Sequence, residues 1–238
     1  MGTFKISAIS GKARAGILKT SHGPLKTPFF MPVATKGSVK HLSTEEVEAT
    51  GTQCLISNAF ILSMKPGLEV GENHGGLHRF MHWSRGLFTD SGGFQVLSRE
   101  FCLELSDEGV LFRNPYTGKK MLFTPEESIS IQNRLGSDVA MCLDDVPLAG
   151  ASDARLAEAV GRTTEWAKRC LDAHVASGKS KRQMLFGICQ GGIDKKLRKK
   201  SAKEISGLEV NGSDFDGIAI GGLAIGEPKE KTFQAVDA

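Results

Sequence analysis

At 238 residues, 40% hydrophobic and 24% charged, the chain has the make-up of a soluble globular domain with one sizeable core. Its 30 Lys and Arg against 27 Asp and Glu leave a net charge of +3, which permits contact with nucleic acid without pointing to it. The cysteines at 54, 102, 142, 170 and 189 are odd in number and widely spaced, which excludes a disulfide framework or a self-contained zinc site and fits a reducing, cytoplasmic setting.

From Met1 to Lys12 there is no leader-type apolar core, and no apolar run approaches the ~18 residues of a membrane span. The spacing then predicts strands at Phe29 to Val33, Gln53 to Asn58, Leu87 to Thr89, Val139 to Leu143, Met184 to Ile188 and Gly217 to Ile220. Helical patterns alternate with them. Ser43-Thr44-Glu45-Glu46 and Thr124-Pro125-Glu126-Glu127 read as capping boxes, and a longer helix is predicted from about Asp153 to Ala176, burying Leu156, Val160, Trp166, Ala167 and Leu171. Between Ser98 and Leu122 the rhythm breaks into short antiparallel runs around Asp107-Glu108-Gly109 and Pro115-Tyr116-Thr117-Gly118, an inserted β-hairpin.

Alternating strands and helices imply an α/β fold with parallel pairing. About six β/α units fit either an open doubly wound sheet or a TIM-type (β/α)8 barrel that is incomplete in this chain, and the helical pattern running to Ala238 without a closing strand favours the barrel.

In both architectures functional groups collect where strands end. Four predicted strands run into polar, glycine-containing turns: Asp90-Ser91-Gly92-Gly93-Phe94-Gln95, Asp144-Asp145, Cys189-Gln190-Gly191-Gly192 and Gly221-Gly222-Leu223-Ala224. Taken singly, each reads as an ordinary turn or cap. Together on one rim they suit a flat, polar, uncharged heterocycle: glycines admit it to backbone groups, carboxylate and amide match a purine edge, and Phe94 offers a stacking face. Lys or Arg beside a glycine-rich helix start, as a phosphate site needs, is missing from these turns.

These turns, in this order, resemble the signature series of the tRNA-guanine transglycosylases, also called queuine tRNA-ribosyltransferases. The similar residues are Phe88 to Gln95, Asp144, Cys189 to Gly192 and Ile220 to Glu227, with Thr27 to Val33 and Gly75 to Met81 as further matches. The resemblance covers essentially the whole chain. It implies that residues 1–238 are a single transglycosylase-type barrel domain of a pentosyltransferase that exchanges guanine in tRNA for a 7-deazaguanine base, queuine or a precursor. Carried onto this sequence, it implies that Asp90 is the catalytic general acid/base and also touches the base. Ser91, Gly92, Gly93 and Phe94 would form the binding turn, with Asp144, Gln190, Gly222 and Leu223 on the edge of the base and Asn58 on the ribose side.

The family's nucleophilic aspartate lies downstream of the Gly221-Gly222 motif, followed by a Cys/His zinc site, so the last strands and the zinc-binding region are expected to be lacking here. Asp237 lacks the surrounding motif and is not assigned as nucleophile. No cofactor or metal is therefore expected in this chain. Its expected partners are tRNA, the guanine or 7-deazaguanine base, and a second protein chain that completes the barrel or forms a homo- or heterodimer. A non-catalytic docking subunit or truncated paralogue is the alternative. Val146 resembles the form that accepts queuine and Ile225 the form that takes the smaller precursor; Ala59-Phe60-Ile61 departs from the family's Thr-Tyr-His run. Lys179 to Arg182 and Lys195 to Lys200 read as solvated charge runs, and His22, His41, His74, His78, His82 and His174 show no ligand spacing.

Overall fold

The computed structural model describes residues 4–98, 100–148 and 150–238; residues 1–3 of the stretch read for a leader, and residue 99 of the inserted segment, lie outside them. An antiparallel meander comes first, β1 (Phe4–Ser10), β2 (Ala13–Thr20) and β3 (Gly23–Thr27), paired in that order. The sequence predicts no strand here, because the signal is missing: every residue of β1 is exposed, so the two-residue alternation of a half-buried strand never develops. Leu18 and Leu25 are the meander's buried apolar anchors.

The next helix, α1 (Thr44–Ala49), starts at the predicted capping box, with Ser43 Oγ accepting from the Glu46 N–H and the Glu46 carboxylate accepting from the Ser43 N–H. There follow β4 (Cys54–Asn58), α2 (Ala59–Leu62), α3 (Leu68–Asn73), α4 (Leu77–Phe80), β5 (Gly86–Asp90) and α5 (Gly93–Val96). The inserted segment, expected as a β-hairpin, is a three-stranded antiparallel meander of β6 (Cys102–Leu105), β7 (Val110–Arg113) and β8 (Lys120–Phe123). The remainder is α6 (Pro125–Leu135), β9 (Val139–Met141), α7 (Asp153–Ala176), β10 (Met184–Cys189), α8 (Lys195–Ser206), β11 (Gly217–Ile220) and α9 (Lys229–Val236). Of the second predicted capping box only half forms: Thr124 Oγ1 accepts from the Glu127 N–H, with Pro125 at the first helical position.

The central sheet has five strands in the order β11-β10-β9-β5-β4, every pair parallel. Spatial order follows chain order without the reversal that defines a doubly wound sheet, so of the two predicted architectures the strand order is that of a singly wound α/β fold. The predicted strand Phe29 to Val33 is a correction. It reduces to one parallel bridge between Val33 and Ile56, with Ala34 N donating to Ile56 O at 2.7 Å and Ile56 N to Pro32 O at 3.2 Å. Pro28 and Pro32 remove the N–H groups a continued ladder would use.

Packing fixes the inserted meander against the sheet's helices. The Phe60 ring lies 4.9 Å from that of Phe112 and 5.1 Å from that of Phe123, an aromatic cluster in which each pair contributes about 0.5–1.5 kcal/mol beyond its buried area. Trp166 of α7 donates to Asp107 O at 2.8 Å, so the buried face of α7 also holds the Asp107-Glu108-Gly109 turn. Behind β9, buried Gln132 exchanges two bonds with one residue of the strand, accepting from Met141 N at 2.9 Å and donating to Met141 O at 2.8 Å. A helix side chain thereby satisfies backbone groups that a neighbouring strand would otherwise have to meet.

Candidate active site

Asp90 ends β5, and parallel pairing sets Asn58, the end of β4, directly beside it. The chain then turns sharply. Asp90 Oδ1 accepts from Gly92 N at 2.9 Å and Ser91 Oγ from Gly93 N at 3.2 Å, two side-chain caps on a turn that no regular ladder serves. Both glycines are required. Gly92 adopts φ +81°, and a Cβ there would run into Phe60; a Cβ on Gly93 would lie 2.7 Å from Asp144 O and 2.8 Å from Asp144 Oδ1. The turn thus lies flat against the end of β9, and Asp90 and Asp144 come to flank one cavity of about 230 Å3.

Phe94, 49% exposed, forms a wall of that cavity, and Ser91, Gly92, Gly93 and Gly222 complete much of its lining. Val146 and Ile225 also line it. Gln190, at the end of β10, is fully buried and donates through Nε2 to Asp144 Oδ2 at 2.6 Å, while its Oε1 has no hydrogen-bond partner. It lines an adjoining cavity of about 310 Å3, which shares Gly222 and Ile225 with the first. Of the predicted site residues, Leu223 and Asn58 line neither cavity. The Asn58 side chain is spent within the fold, its Oδ1 accepting from Ile61 N at 2.7 Å and its Nδ2 donating to Gln95 Oε1 at 2.9 Å.

Electrostatics distinguishes this pair of carboxylates from the acidic groups around it. Burial pushes Asp90 up to about 7, the Gly92 N–H and Asn58 working against it and the charge of Asp144 with it. Burial likewise pushes Asp144 up to about 7, the Gln190 amide opposing and Asp145 reinforcing the rise. Asp145 is buried too but is held by two guanidiniums: Arg155, and Arg162, whose Nη1 donates at 2.6 Å. Side by side after β9, Asp145 is paired with two arginines, whereas Asp144 has no salt-bridge partner among the described residues and is bonded by the neutral Gln190 amide.

Two residues of this region were missed from sequence. Glu227 is pulled down to about 2 because Thr232 Oγ1 and the Ala224 and Ile225 N–H groups all donate to it, which ties the loop after β11 into one piece. Its signal was the acid three residues beyond Ala224. Arg198, read as part of a solvated basic run, is 4% exposed and faces the site's turns.

The histidines require a further correction. Among the described residues one set of ligating side chains converges, His22, His78 and Asp138, at the amino ends of the strands and so on the opposite face from Asp90. His22 and Asp138 are 116 residues apart, so spacing could not reveal them. The two imidazoles stack with centroids 3.5 Å apart and planes 17° apart, so their in-plane lone pairs run side by side and do not converge. His78 Nε2 lies 3.1 Å from Arg85 O and 3.3 Å from Asp138 Oδ2, both acceptors, which makes it a donor. The geometry is a hydrogen-bonded clamp. All five cysteines are free thiols, and Cys54, Cys142, Cys170 and Cys189 are buried.

The fold is a parallel α/β sheet whose carboxyl rim carries two buried carboxylates with raised pKa values, a buried amide and glycine turns around one pair of adjoining cavities. The chain belongs to the queuine tRNA-ribosyltransferase family, whose profile matches residues 9–238. Relatives bearing that name include one from Fusobacterium nucleatum, 44% identical over 99% of this chain and 61% of its own length. Others, from Oleidesulfovibrio alaskensis and a Synechococcus species, are 45% and 47% identical over 87% of this chain, covering 54% and 55% of theirs. The chain thus spans a little over half the length of these curated relatives.

Proposed function

We propose that this chain supplies the base-recognition and acid/base part of a tRNA-guanine transglycosylase, a pentosyltransferase that replaces guanine in tRNA with a 7-deazaguanine base. The observation that carries this reading is the placement of Asp90 and Asp144 on one cavity, both poised near neutral pH, with Gln190 Oε1 open beside them. Guanine presents a carbonyl and two adjacent N–H donors along one edge. Asp144 and Gln190 Oε1 accept from the donors, the Gly222 N–H donates to the carbonyl, and Phe94 covers a face. Asn58 supports Asp90 from the ribose side.

In the exchange the guanine–C1′ bond breaks as a carboxylate–C1′ bond forms, and guanine leaves with a proton. The entering base then surrenders its proton, bonds to C1′ and releases the carboxylate. Asp90 holds the proton between the two halves, a role that its pKa of about 7 suits. The carboxylates lining the base cavity are Asp90 and Asp144, and Asp237 sits exposed at the end of α9, so the carboxylate that captures C1′ is supplied by polypeptide outside these 238 residues. That polypeptide is either continuous with this chain or a second chain, and it closes the singly wound sheet into a (β/α)8 barrel along β11 and β4. Five free thiols suit a cytoplasmic setting, and no helix of the described residues is long and apolar enough to cross a membrane.

Exchange of labelled guanine into tRNA tests the reading. The chain is expected to bind guanine by itself and to incorporate label only when polypeptide carrying the further carboxylate is added. Incorporation by the 238 residues alone would remove the outside nucleophile, and failure to bind guanine at all would overturn the base-site reading.

A further inference from the structure

Arg198 is buried on α8, and among the described residues no carboxylate comes within salt-bridge distance of it, Glu227 acting on it only from further off. Its guanidinium is spent on backbone carbonyls instead: Nε donates to Gly192 O at 2.8 Å, Nη1 to Cys189 O at 3.0 Å, and Nη2 to Gly221 O. These carbonyls belong to the end of β10, the turn that follows Gln190, and the turn that follows β11. A single planar fork therefore ties together two of the turns that line the cavities. Burial lowers the pKa of Arg198, and the nearby charge of Glu227 offsets this only in part.

The consequence lies in the Gly221–Gly222 peptide. In a planar trans peptide the C=O and N–H point in opposite directions. With Gly221 O turned to Arg198, the Gly222 N–H is directed away from the guanidinium, and Gly222 lines both cavities. Gly222 has φ +64°, and a Cβ there would run into Gln190 Oε1, so the bare peptide lies against the same amide that holds Asp144.

We propose that Arg198 is a positioning residue of the base site, fixing the Gly221–Gly222 peptide so that the Gly222 N–H is presented to an acceptor on the edge of the bound base. This rests on the base-site reading above, and it identifies the acceptor by chemistry: on guanine, the carbonyl adjoining the N–H donors that Asp144 takes. Lysine would not replace Arg198, since an ammonium cannot reach three carbonyls with the fixed planar fork of a guanidinium.

The test compares wild type, Arg198→Met and Arg198→Lys by titration calorimetry with guanine and with 2-aminopurine, which lacks the carbonyl, and by the amide resonance and hydrogen exchange of Gly222 without ligand. Arg198→Met is expected to weaken guanine by at least about ten-fold, the scale of a lost hydrogen bond in a buried site, and 2-aminopurine by less than about two-fold. Arg198→Lys is expected to fall between and serves as the folded comparison if Arg198→Met is unstable. The Gly222 resonance shifts and its exchange quickens in both variants. Equal loss of both ligands, or an unaltered Gly222 amide, overturns the positioning role even where guanine binds. Wild type that binds neither base refutes the base-site reading, while the Gly222 amide still reports separately whether Arg198 sets the turn.

Discussion

The amide of Gln190 is anchored at one end and open at the other: Nε2 donates to Asp144 at 2.6 Å, and the buried Oε1 has no partner among the described residues. An unmet buried acceptor costs free energy that a ligand donor recovers, so the open end is a binding determinant. Gln190→Met keeps the length of the side chain and removes both ends. Guanine affinity by calorimetry is expected to fall by about ten- to a hundred-fold, corresponding to one or two buried hydrogen bonds. An unchanged affinity would remove Gln190 from the site.

Asp90 and Asp144 make stability depend on pH in a definite direction. Each has an ordinary carboxylate value of 3.8 when unfolded and is raised to about 7 in the fold, so between those values the folded chain binds more protons than the unfolded one. The stability associated with them is present below pH 4 and is lost as pH rises towards 7. Asp144→Asn is therefore expected to flatten the decline in urea midpoint between pH 5 and pH 7 relative to wild type. A steeper decline in the variant would contradict the raised pKa.

Gly93→Ala introduces one methyl group where Asp144 O and Oδ1 stand 2.7 and 2.8 Å from the new atom. Neither can retreat easily, since one is backbone and the other belongs to a carboxylate whose Oδ2 is held by Gln190. The expected destabilisation is about 1–3 kcal/mol in chemical denaturation, typical of overpacking, together with loss of detectable guanine binding. Retention of both would show that the turn yields.

On the opposite face, Asp138 accepts from Leu87 N at 2.9 Å, from His22 N at 3.1 Å and from His22 Nδ1 at 2.9 Å, with His78 beside it. Burial by itself would raise its pKa, but the hydrogen bonds from His78 and His22 outweigh that and hold it below the ordinary value. Its contribution is present above about pH 4 and is lost as pH falls through the depressed value, the reverse of Asp90 and Asp144. Asp138→Asn is expected to cost about 3 kcal/mol, as for a broken buried pair, while guanine affinity measured on the folded protein stays within two-fold of wild type. A matching loss of affinity would mean that the two faces are coupled.

Much of this was legible from the sequence because the governing forces were local. Ser152 accepts from Arg155 N, and a buried stripe through Val160, Trp166, Ala167 and Leu171 follows, so the bounds of α7 could be read directly. Asp90, Gly92, Gly93, Asp144 and Gln190 could be gathered onto one rim because each follows an apolar run that becomes a parallel strand. Besides the opening meander and Glu227, three features escaped. Phe29 to Val33 has the composition of a strand, but its prolines deny it a ladder. Arg198 lies within a lysine-rich run whose other basic members Lys195, Lys196, Lys199 and Lys200 are exposed, and composition cannot say which turn of a helix faces inward. The clamp of His22, His78 and Asp138 is assembled from three distant segments, and no local pattern records such a meeting.

That clamp also orders events as the chain is made. The tip of the β2–β3 hairpin docks on a carboxylate 116 residues further along, so at about 5–20 residues per second a ribosome spends on the order of ten seconds before the docking partner of the first meander even exists. For the first part of that interval, until β4 and β5 have been made, the anchors Leu18 and Leu25 have no sheet to cover and remain exposed apolar surface on the nascent chain.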